Sequence, residues 1–269
     1  MSIICFDITE TLSVLWIEYS VELLMPDKRK HRGHHPVDKK LFSRENIPTL
    51  KSAVQDYSLL LTKGYPEKGS LKLVGDKFSL TKRQRIAVMR CACSDSQLNS
   101  RKQRQSSFEQ ITGKAVIIDG YNTLITIESA LAGAVIFKSR DETYKDMASI
   151  HGTYRKIEET IPAAELIGNF LSEKGIRQIT WLLDKPVSNS GRLKKILQEL
   201  AERKGWDWKL QLEYNPDEIL KEGTLPVISS DSAVLDKCKT WINLAEELIK
   251  TRIPETWLID LSDNTHLNR

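Results

Sequence analysis

The stretch Val116-Ile117-Ile118-Asp119-Gly120-Tyr121-Asn122 decides the architecture. Three β-branched apolar residues that run straight into an aspartate and a glycine read as a strand buried on both faces and ending in a turn. Two later stretches repeat the pattern: Trp181-Leu182-Leu183 leads into Asp184, and Val227-Ile228-Ser229-Ser230 into Asp231. The strand-like runs fall at residues 115–118, 179–183, 208–212, 225–229 and 257–259. Amphipathic stretches at 162–174, 191–204 and about 232–250 separate them. Short apolar strands alternating with helices predict a three-layer α/β domain with a mainly parallel sheet over residues 112–269. Residues 133–152 are expected to form an inserted hairpin or loop.

Upstream the chemistry changes. Residues 25–111 carry a net charge of +11, against −4 for residues 1–24 and −3 for 112–269, so the chain total of +4 hides a segregation. From Pro48 the apolar period becomes helical. Leu50, Ala53, Val54, Tyr57, Leu60 and Leu61 share a face up to Gly64, a second helix opens at Tyr65-Pro66-Glu67, and a third starts at Thr81. Residues 25–111 thus read as a small, basic, all-α domain. Lys82, Arg83, Arg85 and Arg90 are expected to face outward, and residues 95–112 to form a polar helix end and linker. A basic helical bundle ahead of a near-neutral α/β domain suits nucleic-acid docking through groups such as Arg83 and Arg85; a solvated charged face is the bland alternative. Residues 1–24 read either as an N-terminal helix or as an extension ahead of a true start at Met25.

Several classes are excluded. Hydrophobic residues at 40% and charged residues at 28% describe a globular chain, not a disordered one. Four cysteines (Cys5, Cys91, Cys93, Cys238) do not make a disulfide framework and read as reduced thiols of a cytoplasmic protein. No apolar run is long enough to span a membrane. The clustered His31, His34 and His35 lack neighbouring ligands and read as part of a solvated arm. A P-loop, a strand-linked Gly-x-Gly-x-x-Gly and a Gly-x-Ser-x-Gly elbow are all missing, and a phosphoaspartyl site would need an acid where Tyr121 stands.

What remains is the acids. In an open parallel sheet the strand carboxyl ends line one edge, where ligands bind. Three aspartates meeting there repel one another unless a cation sits between them, and hard divalent cations take such oxygen ligands. The competing reading makes each aspartate the N-cap of the following helix. It suits Asp231 well, Asp119 poorly and Asp184 least.

Ile118-Asp119-Gly120-Tyr121-Asn122, Leu183-Asp184 and Ser229-Ser230-Asp231 resemble the signatures of the PIN/NYN-like nuclease superfamily, in particular its bacterial YacP-type members. The likeness covers about residues 114–262. It implies a PIN-like (Rossmannoid) fold and metal-dependent cleavage of RNA. Asp119, Asp184 and Asp231 would be the catalytic metal ligands, with Asp217 a fourth acid and Asn122 orienting Asp119 or a water. Mg²⁺ or Mn²⁺ would be the cofactor. A helical glutamate of the PIN type has three competing matches, Glu128, Glu158 and Glu165. The whole chain also resembles a prokaryotic family in which a helical domain of unknown function precedes a PIN-like one. That likeness rests on Arg29-Lys30-His31-Arg32-Gly33, Gly64-Tyr65, Leu73-Val74-Gly75-Asp76, residues 151–156 and Ser188-Asn189-Ser190-Gly191-Arg192.

Two segments extend the candidate site. Ser188, Asn189 and Ser190 lead into a helix bearing Arg192, a setting that suits a phosphate oxygen. His151 and Arg155 lie about one helical turn apart and could contact substrate. The expected function is therefore a metal-dependent phosphodiesterase, a ribonuclease with RNA as partner. The alternatives are an RNA-binding PIN-like protein that no longer cleaves, and a small-molecule phosphohydrolase.

Overall fold

A computed structural model describes residues 31–148 and 154–262, which belong to one compact unit. The expectations for residues 1–24, for a start at Met25 and for His151 lie outside the described residues. The helical part comprises α1 (Asp38–Leu41), α2 (Ile47–Thr62), α3 (Glu67–Lys77), α4 (Lys82–Cys91), α5 (Asp95–Arg104) and α6 (Phe108–Ile111). Helices α2 to α4 match the apolar period. Capping boxes at Thr81 with Gln84 and at Ser94 with Gln97 start α4 and α5. Residues 95–112, expected as a polar helix end and linker, form a separate docked helix α5 with Arg101 buried, followed by α6, so the linker part of that reading is corrected.

The α/β part follows as β1 (Val116–Asp119), α7 (Gly120–Leu131), β2 (Ile136–Lys138), β3 (Tyr144–Lys145), α8 (Thr160–Glu173), β4 (Ile179–Asp184), α9 (Ser190–Lys204), β5 (Trp208–Glu213), α10 (Pro216–Glu222), β6 (Val227–Ile228), α11 (Ser232–Leu235), β7 (Trp241–Ile242), α12 (Leu244–Arg252) and β8 (Leu258–Asp260). Five strands form a parallel sheet in the order β5-β4-β1-β6-β7. Alternation along these strands builds the three layers. Val116, Ile118, Trp181, Leu183 and Ile228 face one way, into a core with α7, α8, α9 and α12. Ile117, Leu182, Val227 and Trp241 face the other way and meet Leu220, Val234 and Leu235 of α10 and α11.

Two expectations are corrected. The single helix over 232–250 is broken, because Trp241 and Ile242 are buried as the edge strand β7. The 257–259 strand does not join the main sheet: β8 pairs with β2, and β2 with β3, in a second sheet. Val135, Phe137, Ile259 and Leu261 of that region close the helical core formed by Phe42, Leu50, Val54 and Val88.

Gly120 explains the tightest part of the first motif. A Cβ there would lie 2.5 Å from the Leu182 carbonyl oxygen and 2.6 Å from Leu183 Cδ2. Only glycine lets the β1–α7 turn press against β4. Gly120→Ala is expected to destabilise the protein by roughly 3 kcal/mol, since backbone on the facing strand cannot step aside. Urea denaturation reads this directly, and an unchanged midpoint would show that the two strands have room to spare.

Candidate active site

Register fixes where the acids stand. Asp119 pairs with Leu182 of β4, and Ile118 with Ile228 of β6. Asp184 therefore stands two residues farther out than Asp119 at the end of β4, while Asp231 lies three residues past the end of β6, at the N-cap of α11. At about 3.3 Å per residue the two-residue step is roughly 6–7 Å. Asp119 and Asp184 end adjacent parallel strands and Asp231 follows the next one, so all three lie at the same carboxyl edge of the sheet, with Asp119 the most recessed.

Burial shapes the chemistry of Asp119. Its carboxyl is pushed up to about 7, chiefly by desolvation, with further repulsion from Asp231, Asp217 and Asp184; the Ser229 hydrogen bond pulls the other way. Asp184 is half-buried and also raised, by burial and then by Asp217. Asp217, on α10, thus acts on both of the other acids. It keeps a loose pairing with Lys221 at 3.6 Å.

A hydrogen-bonded turn supports the edge. Ser229 Oγ donates to Asp119 Oδ2 at 2.7 Å and accepts from the Asp231 amide at 2.9 Å. Asn122 Oδ1 accepts from the Ser230 amide at 2.8 Å and from Ser230 Oγ at 2.9 Å. Asn122 therefore orients the Ser230 turn, and the hydroxyl that orients Asp119 is that of Ser229. Asp231 is indeed an N-cap: its Oδ1 accepts from the Ala233 and Val234 amides at 2.8 and 3.1 Å. Asp119 makes no side-chain cap bond to α7. Buried Lys145 donates to the Ser230 carbonyl and, at 3.4 Å, to Ser232 Oγ, which clamps the same turn from behind. Sequence reasoning missed Ser229 as a positioning group although it lies inside a quoted motif. Lys145 carried no signal, because it falls in the segment expected to be an insertion.

The other expected residues are dispersed. Arg83 pairs with Asp38, donating from Nη2 to Oδ2 at 2.8 Å. Arg85 bonds Asp76 at 2.8 Å together with the Leu80 and Lys72 carbonyls. Arg90 bonds the Asp146 and Ala148 carbonyls. Arg83 and Arg90 are turned to a buried carboxylate and to backbone carbonyls, and Arg85 is engaged by surface Asp76, which corrects the expectation that all three face freely outward on α4. Ser188, Asn189, Arg192 and Arg155 are exposed, whereas Ser190 is buried and donates to the Lys185 carbonyl. Asn189 holds a left-handed φ of 70° and donates to the Tyr154 carbonyl. Of the competing glutamates, Glu128 is buried under Arg32, Tyr154 and Thr160, Glu158 faces His31, and Glu165 pairs with Lys204. None of the three bears on Asp119.

Among the described residues, no three His, Cys, Asp or Glu side chains come close enough together to hold a metal ion. The donor chemistry nonetheless fits a hard divalent cation. The oxygens are carboxylates, the innermost is raised by burial and then by its acidic neighbours, and Mg²⁺ commonly binds through only one or two carboxylates while keeping its waters. Beside this edge a cavity of about 530 Å³ opens between the helical part and the sheet, lined among others by Tyr57, Met89, Arg90, Asn122, Lys145 and Asp231.

Residues 108–247, more than half of the chain, match the domain of unknown function DUF5616. The chain belongs to the DUF5616 family. Residues 49–104 match a second family of unknown function, DUF434. The chain is 28% identical over 204 residues to the uncharacterized protein MJ0935 of Methanocaldococcus jannaschii, an alignment that takes in 75% of this chain and 97% of that relative. No solved structure matches. The DUF5616 segment contributes Asp119, Asp184, Asp217 and Asp231, and the DUF434 segment the Tyr57, Met89 and Arg90 wall of the cavity. Among the described residues no helix is long and apolar enough to cross a membrane.

Proposed function

We propose that this chain is a metal-dependent phosphodiesterase of the PIN/NYN-like kind that cleaves RNA in the cytoplasm. The observation that carries the reading is Asp119, a buried carboxyl that ends β1 beside the β4 strand ending in Asp184, at the carboxyl edge where Asp217 and Asp231 also lie. Folding that places so much negative charge in one recess costs stability, and a bound cation offsets the cost. Asp119 with one flanking acid, Asp184, Asp217 or Asp231, would hold Mg²⁺ or Mn²⁺, with water at the remaining positions. Bound there, the ion supplies an activated water and stabilises charge on a phosphoryl group. The chain's own contribution is positional. Ser229 fixes the Asp119 rotamer, Asn122 and Lys145 fix the turn that carries Ser229, and Gly120 brings β1 against β4 so that Asp184 stands beside Asp119.

The test is direct. Purified protein with Mn²⁺ should degrade single-stranded or structured RNA, stop on addition of EDTA, and show a Mn²⁺-dependent rise in melting temperature. Asp184→Asn should lose the cleavage while keeping its circular dichroism spectrum. Equal degradation by the variant would reveal a contaminating nuclease and overturn the reading.

A further inference from the structure

Tyr214 follows the last residue of β5 directly and is 71% exposed, an unusual position for a large aromatic side chain. Lys185 follows the last residue of β4 in the same way. Asp184 pairs with Glu213 across the two strands, and the Lys185 amide donates to the Glu213 carbonyl at 2.7 Å. Tyr214 and Lys185 therefore stand side by side one step beyond the sheet, on the edge that carries the acids. The Lys185 ammonium lies 4.4 Å from the centre of the Tyr214 ring. Among the described residues it forms no ion pair, although Asp184 and Glu213 are its chain and strand neighbours. The loop is anchored, because buried Pro216 opens α10 two residues later and Asp217, which bears on Asp119 and Asp184, comes next.

Singly exposed apolar residues are ordinary on protein surfaces. This one is distinguished by its cation and by its place, beside Lys185, on the edge that carries the acids. An acidic edge repels a polyanion, so a strand that reaches it needs a positive group and a source of affinity indifferent to charge. A ring whose face is open to solvent supplies the second through base stacking, and only an unpaired base can lie flat on it.

We propose that Tyr214 and Lys185 form a binding platform for single-stranded RNA, the ring stacking one base and the ammonium meeting a neighbouring phosphate. The choice of RNA rests on the nuclease reading above; the platform itself rests on the exposed pair. The two are separated by measuring binding apart from cleavage. Fluorescence anisotropy of a fluorescein-labelled single-stranded oligouridylate in EDTA should show about tenfold weaker binding for Tyr214→Ala, the order of one base stack. Tyr214→Phe should bind as wild type. Lys185→Gln should weaken binding and lower the slope of log affinity against log salt by about 0.7, the value of one phosphate contact on a single strand. Wild-type affinity in Tyr214→Ala, or Phe as weak as Ala, overturns the platform even if Mn²⁺-dependent cleavage is present. Loss of binding in Tyr214→Ala with no cleavage by the wild type supports the platform and overturns the nuclease reading alone.

Discussion

Asp119→Asn should abolish Mn²⁺-dependent RNA cleavage and, in the metal-free protein, raise the melting temperature above pH 7. Both effects come from one carboxyl. Its ordinary value is near 3.9, and in the folded chain burial and three neighbouring acids push it up to about 7. Raised in the folded state, the group favours folding fully below about pH 4, and this contribution is lost as pH rises through 7. Keeping it ionised above that point costs on the order of 4 kcal/mol in the absence of a cation. Asparagine has the same shape and can still accept from Ser229 Oγ, but it cannot ionise. The variant should match wild type at or below about pH 4, gain on it as pH rises, and melt several degrees higher at pH 8, as differential scanning calorimetry in EDTA would show. Its cleavage rate should fall by about a thousandfold or more, since a metal ion's share of transition-state stabilisation is several kcal/mol. Parallel pH profiles for the two proteins would show that Asp119 does not carry the repulsion. Retained cleavage would remove it from the reaction.

How much of this was legible can be followed residue by residue. The β1 run and Asp119 were readable because burial on both faces leaves an unbroken apolar stretch, and the aspartate interrupts it abruptly. Gly120 was visible as a glycine, but its purpose depends on the Leu182 carbonyl more than sixty residues away. The reversal of Arg83, Arg85 and Arg90 was illegible for a related reason. Periodicity places them on a polar face, yet long guanidinium side chains reach sideways to Asp38, Asp76 and the Asp146 carbonyl, partners that only the tertiary fold supplies. The break at β7 was hidden because Trp241 and Ile242 also continue a helical period; edge pairing with β6 decides otherwise. Within the site the acids were found from pattern. Ser229 and Lys145, which set the geometry of the edge, act through single hydrogen bonds that leave no periodic trace.

The helical part bears on the acid edge chiefly through buried Arg101, which pairs with two aspartates, and removing it should be among the costliest single changes to stability. Arg101 of α5 is 2% exposed. Its Nη1 donates to Asp141 Oδ2 at 2.6 Å, its Nε to Asp236 Oδ1 at 2.7 Å, and its carbonyl accepts from Trp241 Nε1 at 2.8 Å. Burial alone would raise the Asp141 carboxyl; Lys145 and Arg101 more than reverse this and hold it well below the usual range. Arg101→Ala strands Asp141 in the interior with Lys145 as its remaining charged partner, and breaking such a pair on one side costs about 3–5 kcal/mol. Urea denaturation at pH 7 should show that loss. Because Asp141 is lowered in the folded state, the pair contributes above about pH 4 and its contribution fades as acid protonates the carboxyl. Arg101→Met combined with Asp141→Asn should recover part of the deficit, since Asp141 is then no longer a stranded charge, while Asp236 and Lys145 each still lose a partner. A deficit as large in the double variant as in Arg101→Ala would locate the cost in packing rather than in charge. The consequence reaches the site because Asp236 closes the turn that begins at Asp231, and Arg101 also approaches the Ser232 carbonyl at 3.4 Å. The DUF434 helices thereby hold α11 in place, and with it the flank of the acidic recess.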